Sequence, residues 1–129
     1  MRRIALLPVL AAMLVSVATV AAAQTTPEDS LAVKEVKANL RNLVVAMEAY
    51  FAEHLAYTPK LADVSWAPEG DVELPTLTLH VSGNGWAGTM RHKTVPAVTC
   101  SIYIGASADD AGVVDGAPQC VVTKKEPAP

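Results

Sequence analysis

Cysteine occurs only twice in the 129 residues, at positions 100 and 120. No C-x-x-C pair exists, so the spacing that tunes redox-active thiols is missing. An even pair in an exported chain reads as a disulfide first, with metal ligation or a nucleophilic thiol as the remaining alternatives. A bridge closing a loop of this size stabilises a small fold by roughly 3 kcal/mol in the chain-entropy model.

Basic residues are also few, 10 Lys and Arg against 13 Asp and Glu. Setting aside Arg2 and Arg3, the rest of the chain is net negative by about five charges, which disfavours nucleic acid and anionic membrane as partners. Internal repeats are absent. No Ser or Cys sits in a glycine-framed elbow, the Gly83-Asn84-Gly85 turn is too short to cradle a phosphate, and no carboxylate pair is set on an identifiable scaffold. The reading is therefore non-enzymatic, without cofactor or metal.

Arg2 and Arg3 precede an uncharged apolar run from Ile4 to Val20, which ends in Ala21, Ala22 and Ala23 before Gln24. This is the pattern of a secretory signal, with small residues for the signal peptidase and cleavage between Ala23 and Gln24. No Cys follows the junction to accept a lipid. The rival reading is an uncleaved anchor, since the run is just long enough to cross a bilayer. Domain organisation follows: signal peptide 1–23, a single domain 24–123 and a disordered tail 124–129. The expected location is periplasmic or secreted.

Residues 26–57 carry the longest amphipathic pattern. Thr26 offers a capping hydroxyl, Pro27 suits the first helical position, and Glu28 and Asp29 complement the positive end of the dipole. Val33, Val36, Leu40, Leu43, Met47, Tyr50 and His54 recur at spacings of three and four, widened by Val44, Phe51 and Leu55. The spacing predicts a helix that ends at Tyr57, Thr58 and Pro59. Its first turns should project and its bulky second half should meet the sheet. A coiled-coil seam is the competing reading, weakened by Tyr50 and His54.

Beyond the helix, Leu61, Val64 and Trp66 form a connecting segment, followed by a turn at Pro68 to Asp71. Leu77, Leu79 and Val81 alternate with Thr76, Thr78 and His80 as a strand with one buried face. Ser82 to Gly85 signals a hairpin, and parity puts Trp86, Gly88 and Met90 on the face of Leu77 and Leu79 for a loop of either two or four residues. A turn at Lys93 to Ala97 leads to a third strand, with Val98, Cys100, Ile102 and Ile104 inward. A loop from Gly105 to Pro118 returns a short fourth segment, Gln119 to Thr123. The fold class is α+β: one long N-terminal helix packed on a three- to four-stranded antiparallel meander.

The runs NLRNLVVAMEAYFAEHLAYT (39–58), GWAGTMRH (85–92), CSIYIG (100–105) and DGAPQC (115–120) together resemble the headgroup of type IV pilin-like proteins, including the pseudopilins of type II secretion. The resemblance implies a long helix across an antiparallel sheet closed by a C-terminal disulfide, and a protein partner in the envelope, a pilus or a secretion system. It departs from the family at the N-terminus. An ordinary signal stands where the family carries a basic leader, a Gly-Phe cleavage site and a membrane helix with Glu at its fifth position. The alternatives are a free-standing binding or inhibitor domain, with the outer sheet face around Tyr103 as its surface, and a membrane-anchored subunit that keeps its N-terminal segment.

His54, His80 and His92 are scattered, which disfavours a shared histidine site. Asp109, Asp110 and Asp115 share the C-terminal loop, a region where pseudopilins bind calcium, but no D-x-D-x-[DN] ladder is present. Trp86, Tyr50 and Phe51 stand at core spacings rather than on a ligand platform.

Overall fold

The computed structural model describes residues 26–123. The expected signal segment 1–23, the expected cleavage junction at Ala23 and Gln24, and the expected tail 124–129 lie outside the described residues. Helix α1 spans Pro27–His54, strands β1 Thr76–Leu79, β2 Gly85–Arg91 and β3 Val98–Gly105 follow, then a short helix α2 Ala106–Ala111 and strand β4 Gln119–Val122. The four strands form one antiparallel sheet in chain order. One long helix on this sheet makes the fold α+β.

The helix starts as its first residues dictate. Asp29 N–H donates to the Thr26 hydroxyl and Thr26 N–H donates to the Asp29 carboxylate, both at 3.1 Å. This reciprocal box satisfies two amides that the helix start leaves free. The helix stops three residues before the expected end. Leu55 takes a left-handed conformation at φ 56°, and its N–H donates to Phe51 O at 2.7 Å. That geometry ordinarily falls to glycine, and Leu55 is the one non-glycine residue with positive φ among the described residues.

The expectation about which half of α1 meets the sheet holds at Met47 and fails at the first turns, which pack instead of projecting, and at Tyr50 and Phe51. Ala32, Val36, Leu40, Leu43 and Met47 are buried, whereas Tyr50 and Phe51 are half-buried and His54 and Leu55 are exposed. The aromatic bulk is spent on local ring contacts: Tyr50 stacks on His54 with centroids 4.0 Å apart, and Phe51 leans on Tyr57 at 4.7 Å. The sheet lies under the slimmer part of the stripe, where Ala32 permits close approach. Buried Trp86, Met90, Val98, Cys100 and Ile102 face it, and Val64 and Val72 close the margin.

Hairpin parity holds. Leu79 stands opposite Trp86 and Leu77 opposite Gly88. His80 N–H donates to Gly85 O, making a four-residue loop from Val81 to Asn84. Val81 therefore lies beyond the strand and is fully exposed, not inward as its alternation suggested. β3 alternates buried and half-buried along its whole length, as its sequence requires.

Helix α2 replaces part of the expected Gly105–Pro118 loop. Gly105 adopts φ 60°, ψ −128°, and Ala106 N–H donates to Asn84 O at 3.0 Å. A Cβ at Gly105 would stand 2.3 Å from Asn84 O, and one at Gly85, its partner across β2 and β3, would stand 2.4 Å from Ile104 O. Two facing glycines thus let the chain break out of β3 and turn at once into α2.

Candidate functional site

Cys100 and Cys120 are directly opposed in the β3–β4 register, with Cα atoms 4.0 Å apart, and form a disulfide. The bond pins the last strand to the sheet interior and belongs to a non-reducing compartment. No helix among the described residues is long and apolar enough to cross a membrane.

The histidines are separate, each with its own partners. His92 is buried at the end of β2. Its Nδ1 accepts the Val95 N–H at 3.0 Å and the Thr94 N–H at 3.3 Å, which leaves Nε2 as the protonated nitrogen. Nε2 donates to Glu35 Oε2 on α1 at 2.8 Å, while Glu35 Oε1 accepts the Asp71 N–H at 2.7 Å. The His92 hydrogen bond, with the Asp71 amide beside it, holds the Glu35 carboxyl below its usual 4.5 against the opposing effect of burial. One turn on, buried Asn39 donates to Glu69 O and accepts from Glu69 N–H, each at 2.9 Å. Glu35 and Asn39 together tie α1 to the 69–71 turn and to β2.

His80 repeats the design after β1. Its Nδ1 lies 2.6 Å from the Ser82 hydroxyl and accepts the Ser82 N–H at 3.1 Å, while Nε2 contacts Asp110 Oδ2 on α2 at 2.6 Å. Both histidines therefore follow a strand, bind the amide two residues ahead through Nδ1, and hold a helix carboxylate through Nε2. An Asp110–His80–Ser82 chain has the residue types of a hydrolytic relay. However, the Nδ1 lone pair is shared with a backbone amide and Ser82 Oγ accepts the Asn84 N–H at 3.2 Å. Its recurrence at His92, with Thr94 Oγ1 at 3.3 Å, marks a strand-ending clamp rather than an activated nucleophile.

His54, the third histidine, sits exposed at the helix end with Nδ1 3.0 Å from Tyr50 O. Of the three loop aspartates, Asp109 and Asp110 are on α2, not in a loop, and Asp115 accepts the Gly105 N–H at 3.1 Å. Among the described residues no group of three or more His, Cys, Asp or Glu is arranged to hold a metal ion.

Glu35 and Asn39 escaped the sequence reading, although a signal was present: two polar residues at i and i+4 flank Val36 and Leu40 in the apolar stripe. The outer sheet face around Tyr103 is partly overlaid by α2. What remains is a shallow depression of about 360 Å³ lined by Thr78, Ala87, Tyr103, Ser107 and Asp110. A larger open groove of about 600 Å³ runs between α1 and the free edge of β4, lined by Ser30, Val33, Lys34, Lys37, Cys120 and Val122. No family model, curated protein or solved structure matches the chain.

Proposed function

We propose that this chain is an exported, non-enzymatic pilin-like domain whose work is protein interaction in the envelope, beside a pilus or a type II secretion-like system. The reading is supported most by one combination, a long helix laid on an antiparallel meander whose last strand is locked by Cys100–Cys120, read with the order of the four sequence runs that resemble pilin headgroups. The signal-like segment and the disulfide both suit the periplasm or the exterior. The two histidine–carboxylate pairs, His92–Glu35 and His80–Asp110, clamp helices to strand ends, which suits a rigid docking domain better than a reaction centre.

The test is crosslinking in intact cells followed by recovery of the tagged chain from the envelope fraction. Enrichment of a pilus or secretion component is the expected result. Recovery of the chain alone, with its phenotype unchanged when that machinery is deleted, supports a free-standing binding domain instead. N-terminal sequencing of the exported protein separates a released domain, beginning at Gln24, from an anchored subunit that retains Met1.

A further inference from the structure

We infer that the groove between α1 and the edge of β4 receives an extended acidic segment of a partner protein as a fifth strand of the sheet. This rests on the interaction-domain reading and names its surface.

The backbone supplies the first half of the argument. β4 pairs only with β3 among the described residues, so one of its sides is an open edge. Thr123 N–H donates to Ala97 O at 2.9 Å, and antiparallel alternation then turns the amides and carbonyls of Cys120 and Val122 away from β3. The 4.0 Å Cα separation of Cys100 and Cys120 fits the closely spaced, non-hydrogen-bonded position. These outward groups form a template for an added strand.

The side chains supply the second half. Lys34 and Lys37 flank the groove on a chain that is otherwise acidic, and neither enters an ion pair among the described residues. Val33 and Val122 make the floor, and Val121 stands 63% exposed on the opposite face of the edge strand. Side chains of an added strand alternate between these two faces. The occupant therefore carries acidic residues toward Lys34 and Lys37, alternating with β-branched residues that cover Val121.

Fluorescence anisotropy with a fluorescein-labelled Glu-Val-Glu-Val-Glu-Val peptide tests this on the full exported chain. Saturable binding with a dissociation constant of order 100 μM is expected, weakening as salt is raised. A Lys-Val-Lys-Val-Lys-Val peptide should not bind, and K34E/K37E should reverse that preference without changing the melting temperature. Hydrogen exchange should slow at the Cys120 and Val122 amides when the acidic peptide binds. The inference is overturned by no saturation up to about 1 mM, by equal binding of both peptides, by a preference that survives the charge reversal, or by dimerisation of the chain through this edge. A negative result combined with recovery of a pilus or secretion component would remove the groove and leave the proposed function standing.

Discussion

His92 Nε2 lies 2.8 Å from Glu35 Oε2, joining residues 57 positions apart in the chain. The bond ties the first half of α1 to the end of β2, and its donor is fixed because the other ring nitrogen is occupied by the amides of Thr94 and Val95. Since the folded-state pKa of Glu35 is depressed below 4.5, the folded protein gains stability from the carboxylate that is fully present above that value. It is lost as pH falls through the lower, folded pKa. Denaturant melts across the acid range should show stability dropping there, and Glu35→Gln should flatten that part of the profile while lowering stability at neutral pH. An unchanged acid limb in the variant would rule out this linkage.

The disulfide is the second lever. Cys100 is fully buried and its partner is directly across the strand pair. Replacing both cysteines by serine removes the constraint on the unfolded chain over a 20-residue separation and places a hydroxyl in the core. The expected cost is about 3 kcal/mol from the loop alone, with more from the buried polar group. Thermal melts with and without reductant should reproduce the loop part of that loss in the native chain and show none in the double variant.

Some of this architecture is legible in the sequence. The Thr26 cap and Asp29 announced the start of α1, hairpin parity set Leu79 against Trp86, and the inward positions of β3 followed from strict alternation. What escaped has particular causes. A left-handed Leu55 is set by tertiary context and carries no compositional mark. Ala106 to Ala111 resembles a loop because Ala, Ser and Asp have no apolar period. Val81 continues the β1 alternation in sequence, yet the loop begins before it. Glu35 has no legible role in the sequence, because helix periodicity says nothing of a polar partner and His92 arrives from a distant strand.

The facing glycines give a third prediction. Gly105→Ala must place a methyl 2.3 Å from a backbone carbonyl at φ 60°, ψ −128°, a region nearly closed to side chains. A loss of at least about 2 kcal/mol is expected. Gly83 also has positive φ, but open space surrounds it, so Gly83→Ala should cost only about 1 kcal/mol. Equal losses in the two variants would mean that contact with Asn84 contributes nothing.

Tyr57 offers a spectroscopic check on the helix end. Burial, then its hydrogen bond to Glu48 at 2.9 Å, pushes the phenol up from 10.0 to about 12. A raised folded pKa means a contribution present below pH 10 and lost as pH rises through about 12. Ultraviolet titration of the phenolate band should show one late step near that value. Tyr57→Phe should remove it, and Glu48→Gln should move it downward by removing the adjacent negative charge.

Asn39 permits the most discriminating substitution, because its amide uses both donor and acceptor. Nδ2 donates to Glu69 O and to Glu35 O, and Oδ1 accepts the Glu69 N–H, all at 2.9 Å. Asn39→Asp preserves shape and the accepted bond, but an ionised carboxylate cannot donate, and it faces two carbonyl oxygens in a site only 3% exposed. At neutral pH the variant should lose about 2 to 4 kcal/mol. Burial and those carbonyls raise the Asp pKa in the folded state, so protonation restores one donor and the deficit shrinks as the solution is acidified. The gap between native and variant should thus narrow in acid, opposite in sign to the loss of the Glu35 contribution in the native chain. Asn39→Ala, which has nothing to titrate, should show a deficit of about 1 to 3 kcal/mol that does not narrow through regained hydrogen bonding. Parallel pH profiles for the Asp and Ala variants would exclude a donating role for Asn39.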